Sequence, residues 1–125
     1  MPILGVMLGG ALGALLRYAI AVLAVHLVPS SPLTASSLGT LFVNVTGSFL
    51  LGVLSGYGSA RGLPPSLTVP LATGFLGSLT TFSTFALESE RLLQEGQELW
   101  SVGYVLASVG LGLLALHLGR LWASA

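Results

Sequence analysis

Charge is what this sequence has least of. Charged residues make up 6 % of the 125-residue chain and apolar residues 54 %, whereas a soluble domain carries about 25 % charged residues. Lys and Asp are absent, and the formal charges are Arg17, Arg61, Arg91, Arg120, Glu88, Glu90, Glu95 and Glu98. So few charges cannot solvate a water-facing surface, which makes lipid the natural solvent. The net charge of zero leaves no basic patch for nucleic acid. Cys is absent as well, which excludes disulfides, thiolate nucleophiles and Cys-ligated metals. Met1 to Gly10 lack a basic n-region, so the first hydrophobic stretch is expected to stay in the protein rather than leave as a signal peptide.

What is present is hydrophobic length. Crossing the hydrocarbon core takes about 20 apolar residues at 1.5 Å each, and four stretches qualify: residues 3–28, 38–57, 67–87 and 99–118. Pro29 to Pro32 form a short turn. Gly58 to Ser66 (GSARGLPPS) and the charge-rich Glu88 to Glu98 read as loops. The expectation is one all-α, four-span membrane domain over residues 1–125, with both termini on one side. Its orientation should follow the side richer in Arg and Lys. Arg61 and Arg120 fall on the side of the termini and Arg91 on the other. Arg17 lies about 21 Å into the first span, nearer the second side. The count is tied, which hints at insertion in both orientations.

Intramembrane polarity is costly, and therefore informative. Gly5, Gly9, Gly13 and Arg17 recur every four residues on one face of the first span, a pattern for close helix packing. Thr40, Asn44 and Ser48 do the same in the second. They are either interhelical glue or a polar strip along a water or ion path. Gly77 to Thr81 concentrates weak helix formers whose hydroxyls compete for backbone carbonyls. A helix break is predicted there, the alternative being a continuous, bent helix. Broken backbone survives in a membrane only where protein, water or an ion takes the freed carbonyls. Phe82 and Phe85 follow on one face, either as packing or with their positive ring edges turned to a small anion. Tyr104 and Ser108 add hydroxyls to the fourth span, while His26 and His117 read as interfacial. With no carboxylate expected inside a span, the donor-rich lining suits an anion that accepts hydrogen bonds strongly.

Three segments resemble one family. Gly9 to Tyr18 (GGALGALLRY), Gly39 to Phe49 (GTLFVNVTGSF) and Gly74 to Phe85 (GFLGSLTTFSTF) are similar to the signature segments of the CrcB/Fluc fluoride channels, whose length and span count this chain shares. The resemblance implies an antiparallel, dual-topology homodimer with two fluoride pores in the cell membrane and a broken third helix. Asn44 would donate to fluoride. Phe82 and Phe85 would form an aromatic box with rings from both subunits. Tyr104 and Ser108 would carry a polar track, and Thr40 matches a vestibule position; the polar faces of the second and third spans, apart from the resemblance, make Thr40, Ser48 and Thr81 further candidate pore hydroxyls. The family often has Ser one turn beyond Ser108, where this chain has Gly112. A structural sodium ion would sit at the dimer centre on the carbonyls of Gly77 and Thr80, and Arg17 and Glu88 would belong to the vestibules. Fluoride export would then be passive and driven by the membrane potential. A proton-coupled drug exporter would need an intramembrane acid, a structural subunit leaves the Asn, Thr and Phe set unexplained, and no catalytic constellation argues for an enzyme.

Overall fold

The computed structural model describes residues 2–125. These form α1 (Pro2–Leu27), α2 (Pro32–Arg61), α3 (Pro65–Val69), a π-helical segment (Pro70–Leu76), α4 (Gly77–Leu79), α5 (Phe82–Gln94) and α6 (Glu98–Ser124). There is no strand among the described residues. α1, α2 and α6 are each long and apolar enough to cross a membrane. The other hydrophobic stretch is divided among several shorter elements.

Two expected loops are mostly helix. α2 runs through Gly58 and ends only where Gly62 turns left-handed (φ 68°) and returns its N–H to the Gly58 carbonyl. Arg61 lies over the Tyr57 ring, 4.5 Å from its centroid, one helical turn back. Paired prolines then restart the chain, with Pro65 in the first turn of α3, where a missing N–H costs nothing. The Glu88 to Glu98 stretch is helical as far as Gln94. Its charges hid an amphipathic pattern in which Phe85, Glu88 and Leu92 are buried on one face. At its start α2 also extends beyond the expected span, because Ser31 caps it by accepting from the Thr34 N–H and Pro32 sits at the first helical position.

The π-helical segment was not expected. It opens at Pro70, which has no N–H and crowds the preceding turn; a wider turn relieves the crowding. The segment packs on the small-residue face of α1. A Cβ at Gly9 would lie 2.7 Å from the Pro70 carbonyl oxygen, and one at Gly13 would overlap that of Phe75. The two run parallel, since Gly5 meets Pro70 and Gly13 meets Phe75 and Leu79.

α2 and α6 form a second parallel pair, in steps of four. Cβ atoms at Gly52 and Gly56 would overlap the carbonyl oxygens of Leu116 and Arg120, and one at Gly119 that of Phe49. Val43, Leu76 and Leu79 form one buried apolar cluster between the pairs, and Phe85, Leu92 and Tyr104 a second.

Candidate functional site: an interrupted helix beside a polar helix seam

α4 ends at Leu79, and the next two residues are extended: Thr80 at φ −82°, ψ 155° and Thr81 at φ −150°, ψ 125°. Several of the backbone groups nearby meet side-chain partners from other helices. Asn44 of α2 faces Thr81 with its whole amide. Its Nδ2 donates to the Thr81 carbonyl at 2.9 Å and its Oδ1 accepts from the Thr81 N–H at 2.7 Å. The Arg17 Nε donates to the Ser78 carbonyl at 3.0 Å. Arg17 reaches it because Gly5, Gly9 and Gly13 have already drawn α1 against this segment. The Thr80 N–H and hydroxyl both donate to the Leu76 carbonyl. Thr81 then caps α5 by accepting from the Thr84 N–H.

These bonds leave a particular residue of carbonyls. In a continuous helix the Thr81 N–H would serve the Gly77 carbonyl, and the Thr84 N–H that of Thr80. Both amides point elsewhere. No group of three or more His, Cys, Asp or Glu able to hold a metal exists among the described residues.

Beside the break lies a cavity of about 300 Å³, whose lining includes Asn44, Ser48, Gly77, Thr80, Thr81, Phe82, Phe85 and Ser108. The Ser108 Oγ is buried without a hydrogen-bond partner, an arrangement that persists where a ligand or water can supply one. One Asn44 N–H also remains beyond the one given to Thr81, because the amide has two. The Phe82 and Phe85 rings stand 5.6 Å apart at 54°. Phe85 is 9 % exposed and meets the Tyr104 ring edge-on at 5.2 Å. Phe82 projects from the chain with 78 % of its surface open. The lining therefore combines hydrogen-bond donors with aromatic rings and contains no acid.

The acid lies at the end of this seam. Glu88, expected in a loop and assigned to a vestibule, is 4 % exposed. One carboxylate oxygen accepts from the hydroxyls of Ser36 and Thr40, and the other from the Tyr104 hydroxyl at 2.7 Å. This corrects two expectations: the polar interior does include a carboxylate, and the Thr40 and Tyr104 hydroxyls are turned to it rather than free. Sequence alone hid the burial of Glu88 because its neighbours Glu90 and Arg91 are solvated. The signal that could have found it is its spacing of three and four from Phe85 and Leu92. Arg17 does not pair with it. A second cavity, of about 230 Å³, has Arg17, Ser36, Thr40, Thr81 and Thr84 in its wall.

Residues 4–120 match the family described as CrcB-like protein, Camphor Resistance (CrcB). The chain belongs to the CrcB family. Among the relatives of this CrcB chain, the fluoride-specific ion channel FluC of Hydrogenobaculum sp. (strain Y04AAS1) is 41 % identical over 121 residues, covering 96 % of this chain and 95 % of its own. The FluC of Rhizobium meliloti (strain 1021) is 45 % identical over 113 residues, covering 89 % and 86 %. That of Shewanella halifaxensis (strain HAW-EB4) is 42 % identical over 118 residues, covering 94 % and 92 %. With three helices of membrane-crossing length and apolarity, this CrcB protein is a multi-pass membrane protein.

Proposed function

We propose that this chain forms a fluoride-selective channel, passively exporting fluoride across the cell membrane, and that it does so as an antiparallel, dual-topology homodimer. Relatives named fluoride-specific ion channels, 41–45 % identical over most of the chain, support the reading. The single structural observation that carries it is the cavity at the break, where an unpartnered Ser108 hydroxyl, a spare Asn44 N–H and two tilted Phe rings converge. Fluoride is a small anion that accepts hydrogen bonds strongly. Hydroxyl and amide donors replace part of its hydration, and positive ring edges attract it without competing for those donors. A channel needs binding that is favourable enough to admit the ion and weak enough to release it.

In this reading, residues 65–94 are the broken third span, and Phe82 is exposed on one chain because its ring completes a box with the partner's. Arg17 draws anions toward the vestibule while holding the break. Glu88 fixes the directions of the Thr40 and Tyr104 hydroxyls and marks one end of the seam. A structural sodium ion fits the carbonyls of Gly77 and Thr80, which lack their helical donors. It would neutralise their partial charge at the dimer centre and would not itself cross. A negative-inside potential drives an anion outward with about 2.3 kcal/mol per 100 mV. That matters because hydrogen fluoride enters as a neutral acid and is trapped on ionising. The chain is a channel in this account and not an enzyme.

The buried Glu88 is the one feature that favours a proton-coupled exporter, yet hydroxyls engage both of its oxygens. Liposomes loaded with potassium fluoride or potassium chloride, opened to potassium by valinomycin and followed with an external electrode, separate the readings. Wild-type protein is expected to release fluoride and not chloride, and Phe82→Ile to slow release by about tenfold or more, equivalent to about 1.4 kcal/mol in barrier. No release of either anion from folded, dimeric protein would refute the channel.

A further inference from the structure

The parallel pair α2 and α6 keeps one register along its length. Gly52 packs on Leu116 and Gly56 on Arg120, an offset of 64 in both cases. Carried back by whole turns, the same offset sets Ser48 opposite Gly112, Asn44 opposite Ser108 and Thr40 opposite Tyr104. Each step has an independent mark in the structure. The Thr40 and Tyr104 hydroxyls bond the same Glu88 carboxylate. Asn44 and Ser108 line the same cavity. The nearest atom to a Cβ built at Gly112 is the Ser48 Oγ, at 3.7 Å.

Two polar columns therefore face each other, and they are not equal. On α6 the column reads Tyr104, Ser108, Gly112 and ends in a residue with no side chain. On α2 it reads Thr40, Asn44, Ser48 and keeps a hydroxyl at the third level. Ser48 lines the cavity that also holds the unpartnered Ser108 oxygen. An anion moving past Ser108 in the direction away from Glu88 meets no donor from α6 at the next turn. It meets one from α2.

We infer that Ser48 is the anion-coordinating residue that completes the polar track beyond Ser108, supplying from α2 the hydroxyl that Gly112 cannot supply from α6. The inference rests on the channel reading and names a residue within it. It also predicts an exchange: because a Cβ at 112 would be in ordinary van der Waals contact with the Ser48 Oγ, a serine at 112 fits without displacing either helix. A hydroxyl from either side serves the same point on the path.

The test is fluoride efflux from potassium fluoride liposomes for four proteins: wild type, Ser48→Ala, Gly112→Ser and the double variant, each first shown by gel filtration to be folded and of wild-type size. Ser48→Ala is expected to slow efflux about tenfold. Gly112→Ser should stay within about twofold of wild type, and the double variant should recover to within about threefold of it. Ser48→Ala at the wild-type rate, or a double variant as slow as Ser48→Ala, would overturn the inference, the second result giving Ser48 a packing role only. Failure of Ser48→Ala to fold while the double variant folds and conducts no faster than about a tenth of wild type would overturn it too. If the wild type itself releases no fluoride, the channel reading fails first and takes this inference with it, which keeps the two failures apart.

Discussion

The two parallel helix pairs are built on the same device and reach opposite ends. In both, glycines bring a helix so close that a Cβ would strike its neighbour's carbonyl oxygen, at Gly9 and Gly13 on α1 and at Gly52 and Gly56 on α2. In the pair of α2 and α6 both helices are continuous, so interior backbone groups are satisfied within their own helix and the polar side chains along the seam are left for other partners, such as Glu88 for Thr40 and Tyr104. In the pair of α1 and residues 65–79, one partner widens into a π-helical segment and stops at Leu79. Backbone groups released in lipid must find partners, and here they come from the other helices: Asn44 from α2 and Arg17 from α1. Close packing is thus sufficient for a regular pair, while an interruption also needs named polar side chains aimed at it.

That contrast can be broken by removing the partners. Asn44→Ala leaves both backbone groups of Thr81 unpaired, and at about 1–3 kcal/mol for each buried orphan it should lower stability by about 2–6 kcal/mol. Thermal unfolding in detergent, with efflux from whatever protein remains folded, checks this. Arg17→Gln removes a charged donor from the Ser78 carbonyl and should cost about 1.5–3 kcal/mol by the same measurement. The regular pair sharpens the comparison from the other side. Gly52→Val pushes α2 off Leu116 and should cost about 1–3 kcal/mol as overpacking does, with trypsin access to Arg61 and Arg120 reporting the splayed helices. The smallest effect is expected at Ser31→Ala, where loss of the α2 cap should lower stability by about 1 kcal/mol and leave fluoride efflux unchanged. An Asn44→Ala protein as stable as Ser31→Ala would mean that the interruption holds itself together, and the contrast would collapse.

Legibility followed the range of the interactions. The small-residue face of α1 and the polar face of α2 could be read as faces, because helical spacing is local. The Thr-rich stretch could be read as a weak helix for the same reason. What could not be read is which partner each face would meet. The Asn44 amide was read as either interhelical glue or part of an ion path, and one N–H and its oxygen hold Thr81 across 37 positions of sequence. Glu88 looked like one charge in a solvated run, and its burial depends on hydroxyls from two other helices. The π-helical segment left only Pro70 as a trace, since the glycine face of α1 on which it packs is distant in sequence.

By itself, the sequence determined the solvent and the menu: too few charges for water, apolar runs of membrane-crossing length, glycines where helices can touch, and an Asn, Thr and Phe set that resembles one family. These follow from composition and short-range periodicity, which any conformation inherits. Only the tertiary structure decided the pairings. The offset of 64 that sets Ser48 against Gly112, the two bonds that fix Thr81 to Asn44 and the three hydroxyls gathered on Glu88 all join residues whose separation in the chain carries no period. They exist because close-packed helices have one register in which glycine meets carbonyl without overlap, and that register settles every polar contact along the seam.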